Sequence, residues 1–145
     1  MKILGIDPGQ QTGIAIFEDG NLTRLETIEP VDLSDYIKTE RPEYLVFEDS
    51  RLTSPVFCRG VKRLAMLKIA RNVGQIDAWC SLIVAICDRE KIPAKGISPK
   101  GKGMKLDAPA FQYLTGWTGK SNQHTRDAAM VAWPYRNYKF SVEKA

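Results

Sequence analysis

The chain begins with MKILGIDPGQQTG, from Met1 to Gly13, and the pattern of this stretch organises the rest of the sequence. Its apolar residues, Ile3 to Ile6, form a short run typical of a buried strand, and Asp7 stands where that run ends. The Pro8-Gly9 pair has turn chemistry and predicts that the chain reverses after Asp7. A carboxylate at the tip of a central strand, with glycines beside it, indicates a place where an ion or a phosphate approaches the backbone. Asp is also common in ordinary turns, so this segment alone leaves a purely structural Asp7 open.

The residues that follow this stretch extend the pattern into a sheet. Three strands joined by tight turns are predicted, as an antiparallel meander, over residues 2–7, 12–18 and 21–28. A short helix with an acidic first turn begins near Asp32 and stops before Pro42. The next apolar run, Tyr44 to Phe47, predicts a fourth strand, and it ends in the acidic pair Glu48-Asp49.

A long helix is predicted from about residue 60 to about residue 90, because apolar residues recur there at spacings of three and four. It would be about 45 Å long at 1.5 Å per residue. Gly74 is its weak point, with a cost of about 1 kcal/mol relative to alanine. One small domain does not cover such a helix fully, so we expect part of it to face a partner subunit.

The remaining pattern completes an α/β fold in one domain over residues 1–145. It predicts a fifth strand at 93–97, a basic glycine-spaced loop at 98–105, a helix at 107–115, and a last helix from Ser121 or Asn122 to Pro134. The length of 145 residues, with 43% hydrophobic and 26% charged residues, is ordinary for a soluble globular domain.

The sequence offers no sign of export or of membrane insertion. No apolar run approaches the roughly 20 residues of a membrane helix, and the N-terminus lacks the pattern of a signal peptide, so a cytoplasmic location is expected. The three cysteines, Cys58, Cys80 and Cys87, form no C-x-x-C pair. We expect them to be reduced and packed in the core.

Charge is distributed unevenly along the chain. The first 50 residues hold 4 basic and 11 acidic residues and the remaining 95 hold 17 and 6, so net charges of −7 and +11 combine to +4. A basic C-terminal two-thirds points to a polyanionic partner, of which nucleic acid is the commonest. A solvated basic surface is the alternative that charge alone leaves open.

Carboxylates follow two of the predicted strands, and another lies in the last helix. If the first and fourth strands are parallel neighbours, Asp7 and Glu48 meet at the same edge of the sheet. His124 and Asp127 are spaced i, i+3 and so share a helix face, and the alanines after Asp127 would let this helix approach the sheet closely. Such an oxygen-rich cluster suits Mg²⁺ or Mn²⁺, and two ions can clamp the attacking and leaving oxygens of a phosphodiester.

Three motifs occur together in this chain: Gly5-Ile6-Asp7-Pro8-Gly9 with Thr12-Gly13, Glu48 after an apolar strand, and His124-x-x-Asp127-Ala128-Ala129. In combination they resemble the RuvC-like Holliday junction resolvases of the RNase H-like superfamily. The resemblance implies a mixed five-stranded sheet flanked by helices, with strands 1–3 antiparallel and strands 4 and 5 parallel to strand 1. It also implies an Mg²⁺-dependent homodimer, with Mn²⁺ as a substitute, that nicks two strands of a four-way DNA junction symmetrically.

The same resemblance implies a role for each site residue. Asp7 would bridge two ions, Glu48 would bind one of them and Asp127 the other, and His124 would be a ligand or would orient the water. Asp49 is an alternative to Glu48, but only one of two adjacent strand residues can face the site.

Contact with DNA is expected from five basic residues, Lys62, Arg63, Lys100, Lys102 and Lys105. For Lys62 and Arg63, the solvated face of a helix is the open alternative.

Other functions stay open at this point. The opening motif also resembles the first phosphate loop of actin-like and sugar-kinase ATPases, although those proteins need two such domains around the nucleotide. The same fold could cut RNA or an RNA/DNA hybrid, or could bind DNA without cutting it. Clustered acids beside phosphate would only weaken a pure binder, which argues against the last of these.

Overall fold

The structure is a computed structural model, and it describes residues 1–53, 62–99 and 105–138. In these ranges a mixed sheet carries helices on both of its faces. The strands are β1 (Lys2–Asp7), β2 (Thr12–Glu18), β3 (Asn21–Ile28), β4 (Tyr44–Glu48) and β5 (Ala94–Ile97). The helices are α1 (Leu33–Glu40), α2 (Arg63–Glu90), α3 (Ala108–Thr115) and α4 (Gln123–Ala132).

The sheet has five strands in the order β3-β2-β1-β4-β5. Strand β1 pairs antiparallel with β2 and parallel with β4, while β5 is parallel to β4. The predicted α/β class and the predicted strand directions are therefore confirmed. No helix in the described ranges is both long enough and apolar enough to cross a membrane.

Side-chain alternation divides the core into two layers. Residues such as Leu4 and Phe47 pack against α1 and α2, whereas Ile3 and Val46 pack against α3 and α4. Continued to the strand ends, the same alternation sends Asp7 and Glu48 to the α4 face.

Helix α4 lies unusually close to the sheet because glycines stand beneath it. A Cβ atom on Gly5 would overlap the carbonyl oxygen of Ala128 and lie 2.9 Å from Ala132 Cβ. A Cβ on Gly13 would overlap the carbonyl oxygen of His124. These two glycines therefore set the height of α4 above β1 and β2, and with it the position of the α4 N-terminus.

Only one half of α2 is packed against the sheet. Its buried residues are Cys80, Ile83, Ile86 and Cys87, all in the C-terminal half. In the N-terminal half, Leu64 and Leu67 are 82% and 57% exposed. Cys80 and Cys87 are free and buried, as expected, and burial raises the pKa of the Cys87 thiol to about 12. The third cysteine, Cys58, lies outside the described residues.

Candidate active site

Asp7 and Glu48 end two neighbouring parallel strands. The register pairs Ile6 with Phe47, so the next residues, Asp7 and Glu48, stand side by side. Adjacent strands are about 4.8 Å apart, and residues in register point to the same face. The sheet topology thus places Asp7 and Glu48 next to each other at the same end of the sheet, while their role in a shared site stays a prediction.

The first turn of α4 adds His124 to this edge. Its Nδ1 atom lies 3.6 Å from Asp7 Oδ2, and the His124 side chain is 47% exposed. The helix starts there because Asn122 caps it: the Asn122 side chain accepts a hydrogen bond from the Thr125 backbone N–H at 2.9 Å. Cap and close packing over Gly13 together hold His124 against Asp7.

Asp127 lies one turn further along α4 and is 5% exposed. Gln123 Nε2 donates a hydrogen bond to Asp127 Oδ1 at 2.8 Å, and Lys105 Nζ lies 3.8 Å from Asp127 Oδ2. Sequence reasoning missed Gln123, although its i, i+4 spacing from Asp127 could have identified it. The sequence predicted that Lys105 contacts DNA, and the structure places the Lys105 ammonium beside an acid of the candidate site.

The structure places Glu48, and not Asp49, on the face of Asp7. Asp49 lies on the α2 side of the sheet and is 4% exposed. Its carboxylate accepts hydrogen bonds from Arg51, and these bonds lower the pKa of Asp49. The structure thus decides which of the two acids lies on the face of Asp7, while the identity of the metal ligand stays a prediction.

The candidate donors are three carboxylates and one imidazole, which are residue types that hard divalent cations such as Mg²⁺ and Mn²⁺ accept. In the described part of the chain, no three His, Cys, Asp or Glu side chains stand together as a ready-made metal-binding group. His124 lies beside Asp7, and the Lys105 ammonium beside Asp127 offsets part of the negative charge of that acid. The residue types therefore fit a divalent cation.

At the level of sequence, no protein-family model matches the chain, and no curated protein matches it either. Similarity is found among solved structures. Thermus thermophilus RuvC in complex with a Holliday junction substrate superposes with a TM-score of 0.63 at 17% identity, covering 95% of this chain and 94% of that one. This chain has the RuvC fold.

Two further structures support the same assignment of fold. A second Thermus thermophilus RuvC structure gives a TM-score of 0.59 at 16% identity, covering 95% of each chain. The yeast mitochondrial Holliday junction resolvase Ydc2 gives 0.56 at 12% identity, covering 93% of this chain and 77% of that one. The RuvC fold expected from the three motifs is confirmed by structures that share few residues with this chain.

The basic residues predicted to contact DNA occupy different places on this RuvC fold. Lys62 occupies the N-cap position of α2 without a side-chain capping bond, and Arg63 is the first residue of the helix; both are exposed. Lys105 lies beside Asp127, as described above. Lys100 and Lys102 lie outside the described residues. Contact with DNA stays a prediction for all five.

Proposed function

We propose that this chain is an Mg²⁺-dependent endodeoxyribonuclease that resolves four-way (Holliday) and related branched DNA junctions by paired symmetric nicks. The observation that carries the proposal is the edge where Asp7 has Glu48 beside it on β4 and His124 Nδ1 at 3.6 Å. Thermus thermophilus RuvC, solved with a Holliday junction, and the Holliday junction resolvase Ydc2 share the fold that builds this edge.

In this proposal Asp7, Glu48, His124 and Asp127 hold two Mg²⁺ ions, with Mn²⁺ as a substitute. When bound, the ions would activate water and offset the charge of the phosphodiester oxygens. The chain's own part is positioning. Gln123 holds Asp127 in one orientation, and the first turn of α4 holds the half-exposed His124 ring beside Asp7.

The C-terminal two-thirds of the chain would hold the DNA. Residues 51–145 carry a net charge of +11. This part of the chain includes Lys62, Arg63, Lys100, Lys102 and Lys105. Lysine and arginine bind phosphate without reading base sequence, which suits an enzyme that recognises the shape of a branched junction. Lys105 could reach both Asp127 and a phosphate at the site, because its side chain is 66% exposed.

The function proposed here also requires two sites, and we infer a homodimer formed through the first two turns of the N-terminal half of α2, which hold Leu64 and Leu67. Leu64 and Leu67 are large apolar residues that this half exposes to solvent. A two-fold dimer would match the two-fold symmetry of an open four-way junction. Each subunit would then cut one strand.

The double variant Leu64→Asp/Leu67→Asp is expected to shift the protein to monomer, because it places charge in an apolar contact. Sedimentation velocity measures the change, and junction products should change from paired cuts to single nicks. Val31→Asp is the matched control, since Val31 is 80% exposed on another part of the surface. If the double variant formed dimers as stable as those of the wild-type protein, the interface would lie elsewhere.

A cleavage panel tests the proposed function directly. With Mg²⁺ present, a four-way junction and a Y-fork should be cut at least tenfold faster than duplex or single-stranded DNA of the same sequence. A tenfold difference in rate corresponds to about 1.4 kcal/mol of activation free energy. An RNA duplex and an RNA/DNA hybrid complete the panel. Faster cutting of RNA or hybrid would favour the RNase alternative. Binding without cutting would favour a non-catalytic module, and nucleotide binding without any DNA activity would favour the ATPase-like one.

A further inference from the structure

Strand β4 ends in two consecutive acids, and the second is held in one place by Arg51. The Arg51 Nε atom donates to Asp49 Oδ1 at 2.9 Å, and Nη2 donates to Asp49 Oδ2 at 2.8 Å. The Arg51 backbone N–H donates to Asp49 Oδ1 at 3.0 Å. A bidentate pair of this kind fixes orientation as well as charge. Because Asp49 is nearly fully buried, it cannot turn away without leaving a charge unpaired.

The Asp49–Arg51 pair is tied to helix α2. Arg51 Nη1 donates to Ser81 Oγ at 3.3 Å, and the intervening Ser50 Oγ donates to Asp77 Oδ1 at 2.5 Å. The Cys80 thiol donates to the Glu48 backbone carbonyl at 3.6 Å. One turn of α2 therefore contacts the backbone of Glu48 and the side chains of Ser50 and Arg51, the two residues that follow Asp49.

The same segment is tied to β5. The Asp49 backbone N–H donates to the Ile97 carbonyl at 2.8 Å, which extends the ladder between β4 and β5 by one residue. Gly96 leaves room for the Asp49 side chain, since a Cβ there would lie 2.7 Å from Asp49 Oδ2. The Asp49 side chain thus occupies space that a residue larger than glycine at position 96 would fill.

These contacts answer a problem that the sequence creates. Slipping β4 by one residue would turn every side chain to the opposite face and present Asp49 to Asp7 in place of Glu48. Both residues are acids, so charge alone does not select between them. We propose that Asp49 and Arg51 are positioning residues: their bidentate pair, anchored on α2 and β5, keeps Glu48 facing Asp7 at the geometry that a divalent cation requires. This inference rests on the proposed function, in which Glu48 is a metal ligand.

The test measures Mn²⁺ binding by the whole protein without DNA, followed as free Mn²⁺ by electron paramagnetic resonance. Asp49→Asn keeps the shape of the side chain, and Arg51→Lys keeps the charge but loses the bidentate contact. Each is expected to weaken Mn²⁺ binding, and to raise the Mg²⁺ concentration for half-maximal junction cleavage, by about tenfold. Junction affinity measured without metal should change less than about twofold, because neither residue is proposed to touch DNA.

Arg41→Lys and Glu90→Gln are the matched controls. Arg41 Nη2 lies 2.8 Å from Glu90 Oε1 at the C-terminal end of α2, so these variants disturb an ion pair of the same length away from Glu48. They should leave Mn²⁺ binding unchanged. If the controls weakened Mn²⁺ binding equally, the effect of Asp49→Asn and Arg51→Lys would be a general loss of stability, and the proposal would be overturned.

A double-variant comparison separates positioning from every other cause. If Asp49 acts through Glu48, adding Asp49→Asn to Glu48→Gln should weaken Mn²⁺ binding no further than Glu48→Gln alone. Additive losses, or wild-type affinity in Asp49→Asn and Arg51→Lys, would overturn the proposal. The proposal would also be overturned if Glu48→Gln bound Mn²⁺ with the affinity of the wild-type protein. A protein that binds Mn²⁺ through Glu48 but cuts no junction would instead overturn the proposed function. The positioning role of Asp49 and Arg51 would then be judged by the Mn²⁺ measurements alone.

Discussion

Asp7→Asn is expected to lower the rate of junction cleavage at least about a thousandfold, a loss of roughly 4 kcal/mol of transition-state stabilisation. Asp7 stands between two other candidate ligands, Glu48 on β4 and His124 on α4. Asparagine has the same shape, so the fold should be retained. It removes the negative charge, and an amide is a far weaker ligand for a hard cation than a carboxylate.

Binding of the junction should survive this change, because phosphate contacts supply most of the affinity for DNA. Loss of an acid near the phosphate should even strengthen binding slightly. The measurement compares single-turnover cleavage in Mg²⁺ with junction affinity in its absence. Asp35→Asn is the control, since Asp35 is an exposed acid on α1, against the other face of the sheet. Cleavage by Asp7→Asn within about tenfold of the wild-type rate would show that the site is elsewhere.

The strands and turns around β1 were predictable because their signals are local. Asp19 and Gly20, at the turn between β2 and β3, have φ angles of 51° and 85°, which Gly and Asp tolerate better than most residues. The predicted ranges of the first three strands match the observed ones. The long helix was predicted from about residue 60 and begins at Arg63 in the described part of the chain. Helix ends are the least local part of such a pattern, since they depend on capping contacts.

The candidate site was predictable only in part, for a reason that Glu48 and Asp49 illustrate. Their order in the sequence fixes that they face opposite sides of the sheet, but which side each faces depends on Arg51, Cys80 and the register with β1. The contact of Lys105 with Asp127 joins residues from separate elements and carried no spacing signal. Side-chain type and spacing can therefore nominate a site, whereas tertiary contacts choose its members and their partners.

The close approach of α4 to the sheet leads to the second large effect, which concerns Gly13→Ala. Gly13 pairs with Asp7 across β1 and β2, and a Cβ there would overlap the His124 carbonyl and lie 3.0 Å from the Thr125 backbone nitrogen. Both clashing groups are backbone, so only a shift of α4 can relieve them. We expect unfolding free energy to fall by about 3 kcal/mol. Displacing His124 from Asp7 by about 1 Å should cost about a hundredfold in cleavage rate.

Gly74→Ala provides the matched control for Gly13→Ala, since it adds the same methyl group to α2, where nothing in the described residues beyond the local helix backbone lies within 4 Å of the new Cβ. Alanine is the better helix former, so Gly74→Ala should stabilise the protein by up to about 1 kcal/mol and leave cleavage unchanged. Denaturant unfolding and single-turnover cleavage of the two variants give the comparison. A Gly13→Ala protein with wild-type stability and rate would mean that α4 has room to move without cost. The position of His124 would then not depend on the bare backbone beneath it, and the geometry that joins β1 to α4 would have to be held by other contacts.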